Sequence, residues 1–507
     1  MRLLTGLARI GDTSADTWCA FELLRDGAVA ESVQCDVAFS GGRSAAGPAT
    51  CAQRHMWNLI QRRMPDSAFY NQIHWAVLPR GSTVPDVHAV LGELVGRHET
   101  LRTTYRVGTD GELTQRVTRS GSFPVGTVSA TDASDVENAT TGWGVDTSGV
   151  AFDHAVDLPF RAAVVCLDGE PVRVVFCISH MAADLMGLRV LETELARLLA
   201  ARVTGRAAGP PAEFRQPLEQ AAFEESEQGR RLLDRADRYW DEQLALLPST
   251  MFPGKDPVRE TARPPFHSAV LDSRAVALAL PVLAGRYRAS GSAVLLAVVS
   301  LLLAQRSGLP RCGLRLLAAN RTHQVLRDTV ANLHQEVPVT VDVTGETVAD
   351  VVRAARVAAM RAYVNGLYDP VRAERALREH ERGRGERIDL SCCFNDARAV
   401  REDRPGPRPA TPAEIRAATA ATTVEPDDFH EAERFFLVVH DDVPDRVRIV
   451  LGAHPEVLSP AAVRGFLRAV EKLLVALTAG EMTLAECAAL TGPAAPDGPR
   501  HPSHLHG

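Results

Sequence analysis

The sequence predicts a two-lobed α/β protein, and three observations carry that reading. At 507 residues the chain is too long for one ordinary hydrophobic core. Apolar stretches with strand character are interleaved with amphipathic helices in both halves. Between the halves, residues 212–246 form a polar, charged helical stretch suited to a passage between lobes. Apolar residues make up 45% and charged residues 23%, the usual balance of a globular protein. A net charge of −7 gives no basic stripe for nucleic acid. No apolar run reaches the roughly 18 residues of a membrane span, and the longest, "AVLLAVVSLLLA" from Ala293, has the length of a buried core helix. The N-terminus lacks the apolar core of a signal peptide. Nine cysteines without CxxC spacing fit reduced thiols, so a cytoplasmic location is expected. The adjacent Cys392 and Cys393 cannot chelate zinc alone.

Taken in order, residues 1–46 read as a β-rich extension, with alternation in "VQCDVAF". The first lobe is expected over 47–215. Its opening helix carries Met56, Leu59 and Ile60, and the next begins near Pro85 with Val87, Val90, Leu91, Leu94 and Val95 on one face. "RAAVVCLDGEPVRVVFCIS" is a hairpin turning at Asp-Gly. The helix after it buries Leu188, Leu191, Leu195, Leu198 and Leu199. The second lobe is expected over 216–487, with a helix from Ser292 to Gln305 bounded by serine and a later proline. The Pro- and Ala-rich stretch 401–424 reads as a long covering loop. Ser459 caps a final helix, and 488–507 is expected to be a disordered tail.

The candidate site is "FCISHMAADLMGL", where a strand delivers Ser179 and His180 and Asp184 follows. A histidine held at a strand-to-helix corner, with an intrinsic pKa near 6.5, can accept a proton from an attacking amine or hydroxyl. An aspartate four residues on could orient it, or could form an ion pair that fixes the loop. Other histidines have plainer readings: His98 as a packing residue, His440 and His454 as surface or edge residues, and His501, His504 and His506 as a tail without implied function.

Four motifs occur in one order: "ATCAQRHMWNL" at 49–59, "RHETLRTTY" at 97–105, "SHMAADLMG" at 179–187 and "VANLHQEVPV" at 330–339. They resemble the ordered core motifs of nonribosomal peptide synthetase condensation domains, members of the chloramphenicol acetyltransferase-like superfamily. The resemblance covers roughly residues 46 to 480. It implies two similar lobes in a V-shaped pseudo-dimer, with a tunnel between them for a phosphopantetheine arm. It assigns catalysis to His180 and makes Asp184 a structural partner of an arginine from the second lobe, here Arg321. Ser179 stands where the family has a first histidine, Leu185 where it has glycine, and His55 where it has a basic arginine. Leu185, Gly187, Asn332 and His334 are the expected tunnel lining.

With no adenylation or carrier unit in the chain, a free-standing, monomeric enzyme is expected, and the resemblance implies that it joins a thioester, borne by an acyl or peptidyl carrier protein met in trans, to an amine or, second, a hydroxyl. The acceptor would be a small molecule or itself carrier-bound. No resident cofactor or metal is expected, and neither nucleic acid nor membrane is an expected partner. "FSGGRSA" at 39–45 lacks the acidic residue and the helical bundle of a phosphopantetheine attachment site and reads as a turn. Two alternatives are an acyl-CoA-dependent acyltransferase of the same fold and a non-catalytic module that recruits a carrier or partner enzyme.

Overall fold

The computed structural model describes residues 33–209, 213–254, 266–398, 409–427 and 433–492. In chain order the first lobe contains β1 (Val33–Ser40), β2 (Ala45–Pro48), α1 (Cys51–Arg62), β3 (Asn71–Val77), α2 (Val84–Arg97), β4 (Thr103–Val107), β5 (Leu113–Val117), β6 (Ser120–Ala130), α3 (Ala133–Ser148), β7 (Phe160–Leu167), β8 (Glu170–Ser179) and α4 (Leu185–Thr204). Its main sheet has the order β1-β6-β7-β8-β3. The β6–β7 pair is parallel and the others are antiparallel. Val174, Phe176 and Ile178 of β8 face α2 and α4, whereas Val175 faces α3, so the strand is apolar on both sides. A small sheet, β2-β5-β4, stands beside α1.

The passage is two helices, α5 (Pro217–Glu225) and α6 (Glu227–Leu246), broken at Ser226, which caps the second. The second lobe follows with β9 (His267–Ser273), α7 (Arg274–Tyr287), α8 (Gly291–Ser307), β10 (Arg311–Ala318), α9 (Gln324–Arg327), β11 (Gln335–Asp342), α10 (Val348–Val364), α11 (Pro370–Arg384), β12 (Cys392–Asp396), α12 (Pro412–Ala418), β13 (Thr423–Asp427), β14 (Phe435–His440), β15 (Val447–Ala453), α13 (Pro460–Ala479) and α14 (Leu484–Thr491). Its sheet runs β11-β10-β12-β14-β15-β9-β13. The apolar run from Ala293 is the buried centre of α8, as its length suggested. Among the described residues no single helix is long and apolar enough to cross a membrane.

Four expectations need correction. The boundary at residue 46 falls inside β2, and β1 is the edge strand of the first lobe's sheet, paired along its length with β6. Two glycines of α2 make that possible. A Cβ at Gly92 would lie 2.4 Å from Ala38 O, and one at Gly96 would lie 2.5 Å from Ser40 O, so α2 rests directly on the β1 backbone. The stretch 401–424 is not one loop: Thr411 and Glu414 form a capping box that starts α12, and β13 then pairs with β9. Its 401–408 part lies outside the described residues, as do 1–32 and 493–507 of the expected extension and tail. The second lobe continues past 487, because α14 runs to Thr491. His454 is buried rather than superficial, with its Nδ1 accepting from the Glu456 amide.

Candidate active site

His180 emerges where β8 ends, and every residue of its loop is tied down. The His180 amide donates to Tyr70 O at 2.9 Å and the Ala182 amide to Ser179 O at 2.8 Å. Thr100 Oγ1 donates to Ala182 O at 2.7 Å, Tyr105 OH to Met181 O at 3.4 Å, and Gln72 Nε2 to Ala183 O at 2.7 Å. The "RHETLRTTY" stretch is therefore the bed of the histidine loop. His98 lies buried below it, with Nε2 2.7 Å from Glu194, and Gln53 of the first motif hydrogen-bonds Tyr105 OH at 3.1 Å. Ser179 Oγ is hydrogen-bonded to His154 Nε2 at 2.7 Å and accepts from the Met181 amide at 3.3 Å. Ser179 thus spends its hydroxyl on the scaffold.

Asp184 joins the two lobes. It is the N-cap of α4, and its Oδ1 accepts from the Gly187 amide at 2.8 Å. Oδ1 also accepts from Arg321 Nη2 at 2.7 Å, while Oδ2 accepts from the Leu333 amide at 2.9 Å. Both charged side chains are 6% exposed. Arg321 donates further to the carbonyls of Leu326, Thr329 and Ala331. Burial disfavours the carboxylate, yet Arg321, His334 and the two amides hold its pKa below the usual range. Gly187 is buried where a Cβ would meet Ala331 O at 3.1 Å and Ala331 N at 3.2 Å, so its place is in the lobe contact. Leu185 opens α4 and is half-buried.

That contact sets histidines of both lobes against each other. The His180 and His334 rings are 4.8 Å apart, centre to centre, and tilted by 37°. Asn332 is 1% exposed, and its Oδ1 lies 2.8 Å from His334 Nδ1. His55, on α1, is buried beside them, with Nδ1 3.2 Å from the hydroxyl of Tyr368. Burial, aided by the neighbouring His334, pulls the His180 pKa down to about 3. Burial likewise lowers His334 to about 4, against the pull of Asp184. Burial and Arg315 lower His55 to about 3. All three are neutral imidazoles at neutral pH, and each can accept or donate one hydrogen bond. His180 Nδ1 is buried without a hydrogen-bond partner.

Among the described residues, Glu336, Cys393 and Glu433 have metal-ligand spacing. The Arg315 guanidinium pairs with both carboxylates, at 2.6 Å to Glu433, and holds the position of a cation. His154 and Tyr368 belong to the site without any motif that marks them in the sequence. His154 lies 25 residues before Ser179 in a loop with no motif of its own. His55 departs from the family pattern, and its spacing of three from the buried Ala52 places it on the inner side of α1.

Two α/β lobes, a histidine at a strand end and an aspartate tied to an arginine from the other lobe make up the architecture of the candidate site. The condensation-domain family model matches residues 45–395, and the chain belongs to that family. Condensation domains transfer acyl or peptidyl groups to form amide bonds and work with carrier proteins. An isonitrile lipopeptide synthase of Mycobacterium tuberculosis (strain ATCC 25618 / H37Rv) is 26% identical over 478 residues, covering 89% of this chain. The chain spans 18% of that relative's length. Among solved structures, the SgcC5 protein from Streptomyces globisporus aligns with a TM-score of 0.66 at 18% identity, over 85% of this chain and 99% of that one. A mutant of the starter condensation domain of rhizomide synthetase RzmA, in complex with C8-CoA, aligns with a TM-score of 0.65 at 18% identity, over 88% and 96%.

Proposed function

We propose that this chain condenses an acyl or aminoacyl thioester, carried on the phosphopantetheine arm of a carrier protein, with an amine. The observation that carries this reading is the His180 imidazole on a rigid loop at the lobe junction, set against the His334 imidazole of the second lobe. A neutral amine attacks the thioester carbonyl, and a hydrogen bond to an imidazole nitrogen orients the attacking N–H. With a pKa near 3, His180 is a weak base. Its contribution is therefore greatest as a positioned hydrogen-bond acceptor that orients the attacking N–H while the C–N bond forms. Proton-transfer assistance at such a site is worth about 100- to 10,000-fold, and holding the two substrates together supplies much of the rest. Asp184 and Arg321 act through the loop they hold and need not touch the substrate.

The test is turnover of loaded carriers and acyl-CoAs by the wild type and His180→Ala. Amide formed equally by both would refute the role of His180. A preference for acyl-CoA over loaded carrier would make the protein an acyl-CoA-dependent transferase. Ser179 and Leu185, where the family has histidine and glycine, favour a second reading as a recruiting module. Saturable carrier binding without turnover would support it.

A further inference from the structure

The strongest unassigned feature is the histidine that faces His180 from the second lobe. We infer that His334 is a second catalytic residue, whose Nε2 takes the proton from the acceptor's attacking nitrogen while His180 holds the same nucleophile from the first lobe. This rests on the condensation reading above.

Three observations carry it. The first is placement: the rings are 4.8 Å apart, tilted by 37°, and belong to different lobes, so His334 is the second-lobe imidazole set against His180. The second is tautomer. Asn332 Oδ1 lies 2.8 Å from His334 Nδ1, and an amide oxygen at that place pairs with a protonated Nδ1 and leaves Nε2 its lone pair. Asn332 is 1% exposed and its Nδ2 has no partner, a buried donor left unpaired. The third is support. The Asp184 carboxylate accepts the Leu333 amide, and Asn320 Nδ2 donates to Leu333 O at 2.8 Å, so both sides of the residue before His334 are clamped. A surface histidine with a packing role needs none of these. The groups facing His334 are Asp184, Arg321, His55 and His180, and among them burial keeps its ring neutral.

The step balances without a further reactant. The amine nitrogen forms the C–N bond and gives one proton to His334 Nε2. The C–S bond then breaks, and the same proton goes to the departing sulfur. Thioester and amine become amide and thiol, and His334 returns to its starting form.

The experiment has two arms on the full chain. Long-range proton–nitrogen NMR of histidine-labelled protein, assigned with His334→Gln, should show Nδ1 protonated and Nε2 bare. An Nε2-protonated His334 would overturn the inference whatever the kinetics. In turnover of a carrier-bound acyl thioester with a primary amine, His334→Gln should lower kcat by about 100-fold or more, with carrier affinity and thermal midpoint unchanged. Asn332→Ala, which frees the tautomer, should lower kcat by a smaller factor. If His334→Gln does not fold, His334→Asn, which keeps a side-chain amide beside Asn332, replaces it. Wild-type kcat in a folded His334 variant, with His180→Ala inactive, would overturn this inference and leave the condensation reading standing. No amide from the wild type with any loaded carrier or acyl-CoA would overturn both.

Discussion

Replacing Arg321 by methionine removes the guanidinium beneath Asp184 while keeping an unbranched apolar side chain in its place. In the wild type the carboxylate has three donors, at 2.7, 2.8 and 2.9 Å, and both partners are 6% exposed. The variant leaves the carboxylate buried with only two amides, and the carbonyls of Leu326, Thr329 and Ala331 lose their shared donor. Stranding one member of a buried ion pair costs about 3–5 kcal/mol. The loss should fall first on the lobe contact, because Asp184 holds the Leu333 amide and Arg321 holds Ala331 O. Hydrogen exchange reads this locally: a loss of about 3 kcal/mol speeds exchange at the Leu333 amide by roughly two decades. The double variant Asp184→Asn with Arg321→Met removes the stranded charge and should regain part of the loss. Exchange and urea midpoint of Arg321→Met within about 0.5 kcal/mol of wild type would refute the argument, since surface changes alone stay within that range. A double variant no more stable than Arg321→Met would refute the charge-stranding part of it.

Acidification should destabilise the fold from about pH 6.5 downward. His55, His154, His180 and His334 have folded pKa values lowered to about 3, 4, 3 and 4, chiefly by burial. The unfolded chain binds their protons first, so stability falls as pH drops from about 6.5 towards 4, by up to about 2 kcal/mol per group between pH 6.5 and 5. Glu224 and Glu433, whose pKa values burial raises, oppose the trend. Urea midpoints at pH 7, 6 and 5 check the sign, and a midpoint that rises towards pH 5 would contradict it. Gly92→Ala should destabilise by about 1–3 kcal/mol, because its Cβ would lie 2.4 Å from the Ala38 carbonyl oxygen, a backbone atom that cannot swing aside. A thermal midpoint equal to or above wild type would show that α2 does not rest on β1 as described.

Local patterns were legible wherever one element carried its own signal. The helix on which Leu188, Leu191 and Leu195 share a face, the Asp-Gly hairpin and the Ser459 cap are all present in the structure. The Asp184–Arg321 pairing came from resemblance, since nothing in either local stretch links residues 137 apart. Elements that depend on distant partners were misplaced. β1 looked like an extension because its partner β6 begins some eighty residues later. The 401–424 stretch hid its helix because its prolines drew the eye from the Thr411 and Glu414 capping box, which was readable in the sequence. The meeting of His180 with His334 was the least legible. It exists only through the lobe contact, and each half of it belongs to a different core.

The carboxylate of Asp184 caps a helix in one lobe and carries a loop amide of the other, so lobe separation and histidine spacing are geared together. A force that separated the lobes would lengthen the 2.9 Å bond to Leu333 and would draw the two rings away from each other in the same motion. Both lobe cores can survive that strain intact. The protein is in this sense a clasp whose grip and reactivity are one part: pulling on it from outside would disarm the site without altering any residue in it.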